Sequence, residues 1–360
     1  MKIPQRYKHT EFGLIPDDWV LCTFKDVLTT FSSGATPYRG IPEYYNGNIR
    51  WISSGELNYN VIYDTIEHIS ANAVRNTNLH ILNPSTFLMA ITGLEAEGTR
   101  GKCAFVGAPA TTNQSCLAIN GTDRMCVEYL FWFYRMWGDY LAFKYCQGTK
   151  QQSYTAEIVK KLPIYCPITI KEQNKIAEAL SDVDALITAL DKKIAKKRLI
   201  KQGAMQQLLT GKKRLCGFSD EWTIKRLGDL AKMNSGGTPD SSNSEYYGGD
   251  IPFLSISDIT STNKYISRTE KTITEKGLRN SSARIFPIKT IMYAMYASLG
   301  KCGIANISLS CSQAILGITP SKNIDTEYLY YILSYIEETV KEFGQTGTQT
   351  NLSKQLVQDL

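Results

Sequence analysis

The sequence is poor in the patterns that catalysis requires. Its three histidines, His9, His68 and His80, form no His-x-x-x-His or His-Glu pair, and its nine cysteines contain no Cys-x-x-Cys pair. Metal ligation needs grouped donors of that kind, so no metal site is expected. Gly-Lys occurs at Gly101-Lys102, Gly211-Lys212 and Gly300-Lys301, but without the upstream glycines of a phosphate loop. No Asn/Asp-Pro-Pro-aromatic motif of an amino-methyltransferase is present; Asn83-Pro84-Ser85-Thr86 is not one. The acidic pairs Asp17-Asp18 and Glu337-Glu338 lack the lysine arrangement of a metal nuclease. No catalytic residue is therefore assigned.

Long apolar runs are also missing. The greasiest stretch, Tyr129–Tyr134, ends at Arg135 and is far too short to span a bilayer. The first nine residues carry no signal-peptide core. An odd number of unpatterned cysteines suits a reducing compartment, so a cytoplasmic protein with no membrane contact is expected.

What is present is a repeat. Asp17-Asp18-Trp19-Val20 is matched by Asp220-Glu221-Trp222-Thr223, and Ser33-Gly34-Ala35-Thr36-Pro37 by Gly236-Gly237-Thr238-Pro239. Glu43-Tyr44-Tyr45-Asn46-Gly47 returns as Glu245-Tyr246-Tyr247-Gly248-Gly249, and Ile49–Ser53 as Ile251–Ser255. Further on, Gly101-Lys102-Cys103 pairs with Gly300-Lys301-Cys302, Asn113-Gln114-Ser115 with Ser312-Gln313-Ala314, and Thr149-Lys150-Gln151-Gln152 with Gly347-Thr348-Gln349-Thr350. The offset stays near 200 residues throughout, which marks a duplicated domain rather than a short solenoid unit. At 360 residues the chain accommodates two domains and a linker.

The linker is Pro167–Thr210, rich in good helix formers. Its apolar positions Ile176, Leu180, Val183, Ile187, Leu190 and Ile194 alternate steps of four and three, which is a heptad seam. Some 40 helical residues extend about 60 Å. Between Asp191 and Arg214 there are nine basic residues against one acid, about +8 of a net +6, so the rest of the chain sums to about −2. A polyanion would feel the end of this helix most strongly.

Within the first repeat, Phe24–Phe31 reads as a short helix or a strand. Short β-prone runs follow at Ile49–Ser53, Val61–Ile69, Thr86–Thr92, Gly101–Val106 and Cys116–Ile119. Asp123–Tyr145 is long enough for two helices or one bent one, and Tyr328–Phe343 is its counterpart in the second repeat. The expected fold class is α+β: two homologous domains, residues 1–166 and 212–360, joined by a long coiled-coil-type helix over 167–211. The polar runs Thr149–Thr155 and Thr346–Ser353 offer Gln and Asn amides able to read an adenine edge, and lysine and hydroxyl groups able to hold phosphates; equally, they are loops with turn chemistry.

These pieces in this order resemble the specificity subunit of type I restriction–modification systems. The resemblance rests on Ile15-Pro16-Asp17-Asp18-Trp19, the Ser-Gly-x-Thr-Pro turn, Glu-Tyr-Tyr-Asn-Gly, and Pro167 followed by Lys171-Glu172-Gln173 and Ile176-Ala177. Gln206-Gln207-Leu208-Leu209-Thr210-Gly211 and Phe218-Ser219-Asp220-Glu221-Trp222 complete it. It implies two target-recognition domains, each reading one half of a split double-stranded DNA sequence, and a helix that sets their spacing and docks methyltransferase subunits. A 60 Å helix spans roughly 18 base pairs, the right order for two short half-sites and an unread gap. A restriction subunit would complete the complex, and S-adenosylmethionine, ATP and Mg would bind the partner subunits rather than this chain.

Loop position and side-chain chemistry then nominate Ser33, Thr36, Arg39, Arg100, Lys102, Lys150, Gln151 and Gln152 in the first repeat as DNA contacts, with Thr238, Lys301, Thr348, Gln349 and Asn351 in the second. Lys192, Lys193, Lys196 and Lys197 would touch phosphates or acids of a partner. The sequence departs from the family pattern at its end. Leu360 aligns with Leu162, so a second long helix is expected to be absent and the Ile176–Ile194 seam open to another subunit or a second copy. The alternatives are a protein-interaction scaffold without DNA binding, or an inactive truncated allele.

Overall fold

The structure, a computed structural model, describes residues 6–96, 98–148, 152–345 and 351–360. The chain divides into two compact units, residues 1–191 and 192–360.

In the first unit the hairpin β1 (Tyr7–Thr10) and β2 (Gly13–Pro16) leads to β3 (Val20–Thr23), α1 (Phe24–Val27) and β4 (Thr29–Ser33). There follow β5 (Ile49–Ile52), β6 (Asn60–Ile62), β7 (Glu67–Ile69), α2 (Ala71–Asn76), β8 (Phe87–Ala90), β9 (Cys103–Val106), β10 (Ala110–Thr112) and β11 (Cys116–Asn120). The unit closes with α3 (Val127–Tyr145), α4 (Ala156–Lys160), β12 (Pro163–Cys166) and the start of α5 (Ile170–Leu208).

The second unit, after the end of α5, runs α6 (Leu227–Leu230), β13 (Ala231–Ser235), β14 (Tyr247–Leu254), α7 (Ile256–Ser261), β15 (Tyr265–Ile266), β16 (Lys271–Ile273) and α8 (Glu275–Arg279). It continues with β17 (Ile291–Ala294), β18 (Cys302–Ala305), β19 (Ser310–Cys311), β20 (Ile315–Pro320), α9 (Thr326–Tyr335), α10 (Glu337–Gln345) and α11 (Lys354–Gln358).

The two units are copies at the level of topology. One five-stranded sheet is ordered β4-β11-β8-β9-β6, the other β13-β20-β17-β18-β15. In each the last pair alone is parallel, β6 with β9 and β15 with β18. The small sheets β10-β5-β7 and β19-β14-β16 likewise combine one parallel and one antiparallel pair. An α+β fold duplicated around a long helix is what the repeat required.

The core explains why these strands form. Every residue of β8 and of β17 is buried, because each strand lies inside its sheet with both faces covered. Helix α3 buries Leu130, Tyr134, Gly138, Leu141 and Ala142 at helical spacing. Phe131 stacks on Phe105 of β9 at 4.9 Å, and Tyr134 meets Phe87 edge-on at 5.8 Å.

Local details depart from the sequence reading. Phe24–Phe31 is both α1 and the start of β4. Val61–Ile69 is not one strand; β6 joins the five-stranded sheet and β7 the three-stranded one, separated by a turn in which the Thr65 hydroxyl donates to the Glu67 carbonyl. Strand β10 goes unmarked because three residues carry too little pattern. Asp123–Tyr145 contains a single helix, whereas its counterpart breaks at Ile336 into α9 and α10 with no proline or glycine to announce it. Trp19 packs on the first core, stacking on Tyr165 at 5.8 Å. Its repeat partner Trp222 is 47% exposed and lies over Arg214 instead, since β3 is held by β12 and no strand pairs with 223–226 among the described residues.

Helix α5 is 39 residues, about 58 Å. Its first turns are anchored by Gln173, which is fully buried. That carboxamide accepts from the Cys126 amide at 2.9 Å and donates to the carbonyls of Arg124 (3.0 Å) and Pro167 (2.9 Å), so the buried polar group is satisfied. One turn on, Ala177 is buried and Ile176 packs against the first core. From there the seam emerges: Leu180, Val183, Ile187, Leu190 and Ile194 are each between 42% and 56% exposed. Ile176 thus belongs to the core of the unit, and the other five form the open apolar row.

Candidate nucleic-acid interface

Each unit carries the same small platform at one edge of its sheets. In the first, residues 34–37 turn across the end of β10: the Ala35 amide donates to the Thr112 carbonyl at 3.1 Å. In the second, the Gly237 amide donates to the Cys311 carbonyl at 2.9 Å. The approach is close enough to demand glycine. A Cβ on Gly34 would sit 1.8 Å from the Thr112 carbonyl oxygen, and one on Gly236 2.3 Å from that of Cys311. Behind each turn a tyrosine hydroxyl holds the proline carbonyl, Tyr45 on Pro37 at 2.6 Å and Tyr247 on Pro239 at 2.7 Å. This gives the Glu-Tyr-Tyr repeat a structural purpose.

The threonine of each turn faces outward. Thr36 Oγ1 donates to Gln114 Oε1 at 2.5 Å, and Thr238 Oγ1 donates to Gln313 Oε1 in the same way. All four residues lie at the surface, and both bonds are solvent-exposed. Both glutamines lie in the loop after the parallel strand, and its first residue is tied to the end of the neighbouring strand, Asn113 to Ile52 and Ser312 to Leu254. A capping box follows each of those strands. Glu56 holds the Ser53 amide and also accepts from Ile66, and Asp258 holds the Ser255 amide and also accepts from Glu270. Thr36 and Thr238 were expected as site residues. Gln114 and Gln313 were not, although the pairing of Asn113-Gln114-Ser115 with Ser312-Gln313-Ala314 was the signal that would have found them.

The nominated cations are mostly occupied inside the first unit. Arg39 forks onto Glu67 at 2.5 and 2.8 Å and lies over the rings of Tyr45 (4.2 Å) and Trp51 (5.4 Å). That hydrogen bond holds the Glu67 carboxyl below its usual range against the opposing effect of burial. Arg100 bonds Asp139 at 2.6 Å. Lys102 donates to Asn58 at 2.9 Å and sits 4.5 Å from the centre of the Tyr59 ring. Lys301, in the second unit, pairs with Glu337 at 3.6 Å. Ser33 ends β4 beside Gly34 and lines a shallow cleft with Asn78 and His80. Gln152 accepts from Leu94 through its carbonyl, and its amide donates to Glu95; it closes a loop. Asn351 is exposed just ahead of α11. Lys150, Gln151, Thr348 and Gln349 lie outside the described residues.

The platforms are not electrostatic twins. Arg39 and Glu67 in the first unit are replaced at matching places by Ser241 and Lys271. The second unit has its own paired lysine among tyrosines, which the sequence reading missed. Lys264 donates to the Tyr331 hydroxyl at 3.1 Å, bonds Glu327 and lies 4.3 Å from the Tyr331 ring centre. Lys192, Lys193, Lys196 and Lys197 are exposed on α5, with no ion pair among the described residues. Among the described residues no three His, Cys, Asp or Glu side chains group as a metal site needs, and no helix is long and apolar enough to cross a membrane.

Comparison with known proteins follows the duplication. A family model described as the type I restriction modification DNA specificity domain matches residues 16–198 and again 219–360. The putative type I restriction enzyme MjaX specificity subunit of Methanocaldococcus jannaschii is 25% identical over 360 aligned residues, 94% of this chain and 81% of that one. The type I restriction enzyme MjaIX specificity subunit of the same organism is 36% identical over 124 residues, which is 34% of this chain and only 28% of that subunit's length. The crystal structure of the type I restriction–modification S subunit from M. genitalium superposes with a TM-score of 0.63 at 16% identity, covering 95% of this chain and 83% of that one.

Proposed function

The chain belongs to the type I restriction modification DNA specificity family, and from that premise we propose that it is the DNA sequence-recognition subunit of a type I restriction–modification complex. Each unit reads one half-site of a bipartite double-stranded target, and α5 joins the two readers. The observation that carries this reading is the duplicated platform: two units of one topology present the same exposed Thr–Gln pair, Thr36 with Gln114 and Thr238 with Gln313. A protein built to read two short sequences needs the same reading surface twice.

The subunit is non-catalytic. Methyltransferase subunits dock on it, and the open row Leu180, Val183, Ile187, Leu190 and Ile194 gives an apolar face for a partner helix or a second copy. A restriction subunit joins the full complex. S-adenosylmethionine, ATP and Mg act on those partners. The lysines at 192, 193, 196 and 197 supply the sequence-independent attraction for phosphates.

Single-molecule methylome sequencing of a host expressing the chain with its cognate methyltransferase subunit tests the proposal. A new split motif, absent when the chain is omitted, is the expected result. With all subunits soluble, no new methylation would sink it and favour a scaffold that binds protein alone; retention on heparin that does not change with salt would point the same way.

A further inference from the structure

The strand that leads into α5 carries a pair of thiols with no part in DNA recognition. Strand β12 pairs with β3 as a two-stranded ribbon, Ile164 opposite Cys22 and Cys166 opposite Val20. Cross-strand partners share a face, so Cys22 and Cys166 are diagonal neighbours on one side of the ribbon. Both are free thiols, and the Cys166 S–H donates to the Cys22 sulfur. Cys166 is buried, whereas Cys22 is half-buried and within reach of a small solute.

The pair is asymmetric in the way that thiol oxidation requires. The hydrogen bond from Cys166 holds the Cys22 thiol below its usual value against burial and the Asp26 carboxylate, and the Arg124 guanidinium adds to the lowering. The same bond, then burial, pushes the Cys166 thiol up. Cys22 is therefore the thiolate and Cys166 the proton donor. Burial instead raises Cys103, Cys116, Cys302 and Cys311. The second unit has Lys225 at the place of Cys22, so the feature belongs to the first unit.

We propose that Cys22 and Cys166 are a peroxide-reactive dithiol whose disulfide staples β12, and with it the root of α5, to β3. The inference stands apart from the DNA-recognition reading. The Cys22 thiolate attacks one oxygen of a hydroperoxide, the O–O bond breaks, and the leaving oxygen takes up the proton that Cys22 lost. Cys22 is then a sulfenic acid. The Cys166 sulfur attacks it, the S–O bond breaks, and the departing hydroxide leaves as water with the Cys166 proton.

Diagonal neighbours lie about 7–8 Å apart at Cα, beyond the usual disulfide span. Closure therefore draws the strands together slightly, and a ribbon with no third strand among the described residues can yield that far. The next residue, Pro167, gives its carbonyl to Gln173, which also bonds Arg124 and Cys126. The staple thus sits one residue from the contacts that anchor α5.

The purified full chain is oxidised with hydrogen peroxide, its remaining thiols are blocked, and its peptides are mapped by mass spectrometry without reduction. A Cys22–Cys166 linked pair that dithiothreitol reverses is expected, with the oxidised chain unfolding roughly 5 °C or more higher than the reduced one. Cys22→Ser loses both effects, and Cys216→Ser, which removes the exposed thiol, keeps them. Cys22 recovered as a free thiol or a sulfinic acid, with Cys166 unbridged, would overturn the proposal. So would a pair that forms no faster than in the urea-unfolded chain, or one that leaves the unfolding temperature unchanged. The wild-type map decides the matter even where a variant fails to fold.

Discussion

Arg135 Nη1 donates to Asp184 Oδ1 at 2.9 Å, joining the middle of α3 to the long helix. One turn earlier Trp132 donates its indole N–H to Ser181 at 3.1 Å, and the Arg135 guanidinium lies over Trp132 (4.9 Å) and Tyr59 (5.5 Å). With Gln173 deeper in, these contacts fix the direction in which α5 leaves the first unit.

Arg135→Ala should therefore cost more than a surface ion pair alone. The half-exposed pair contributes below about 1 kcal/mol, and each ring contact about 0.5–1 kcal/mol. We expect about 1–2 kcal/mol for Arg135→Ala and less for Asp184→Ala. A double-mutant cycle by urea denaturation should give a coupling of about 0.5 kcal/mol; zero coupling would assign Arg135 to its rings alone.

The four open lysines predict a salt effect. Replacing Lys192, Lys193, Lys196 and Lys197 with alanine should weaken binding to every DNA sequence alike. The slope of log affinity against log salt should become shallower by about one for each phosphate that a lysine no longer neutralises. A change in sequence preference instead would place these lysines at base edges.

Acid stability follows from the Arg39–Glu67 fork. The Glu67 carboxyl is held below its ordinary value by that hydrogen bond, with burial opposing. Its stabilising effect is complete above about pH 4.3, the unfolded value, and is lost as pH falls through the lower folded value. Urea midpoints at neutral and acid pH should converge between wild type and Glu67→Gln as the carboxylate is protonated. A gap that stays constant with pH would refute the linkage.

Tyr134 offers a test of the core. Its hydroxyl is buried with no hydrogen-bond partner among the described residues, and burial pushes its pKa well above the usual range. Tyr134→Phe keeps the ring contact with Phe87 and removes the unsatisfied group. It should be neutral or stabilising by up to about 1 kcal/mol in thermal or urea unfolding. A clear loss of stability would reveal a partner, such as a buried water, that the hydroxyl needs.

The sequence by itself determined the duplication, the long helix and its heptad seam, and the presence of turns at Thr36 and Thr238. Those features are written in local chemistry: heptad spacing, helix propensity, and the Gly-x-Thr-Pro and Glu-Tyr-Tyr segments that recur at a constant offset. The anchoring Lys171-Glu172-Gln173 motif was visible too, though not the reason for it, because Gln173 bonds Arg124 and Cys126, nearly 50 residues away. Only the tertiary structure decided which side chains are available. Arg39, Arg100 and Lys102 are claimed by partners 28 to 44 residues distant, and Gln114 is oriented by Thr36, 78 residues away. Hydrogen bonds and ion pairs of that range form where strands from distant segments meet, and one-dimensional periodicity carries no record of them.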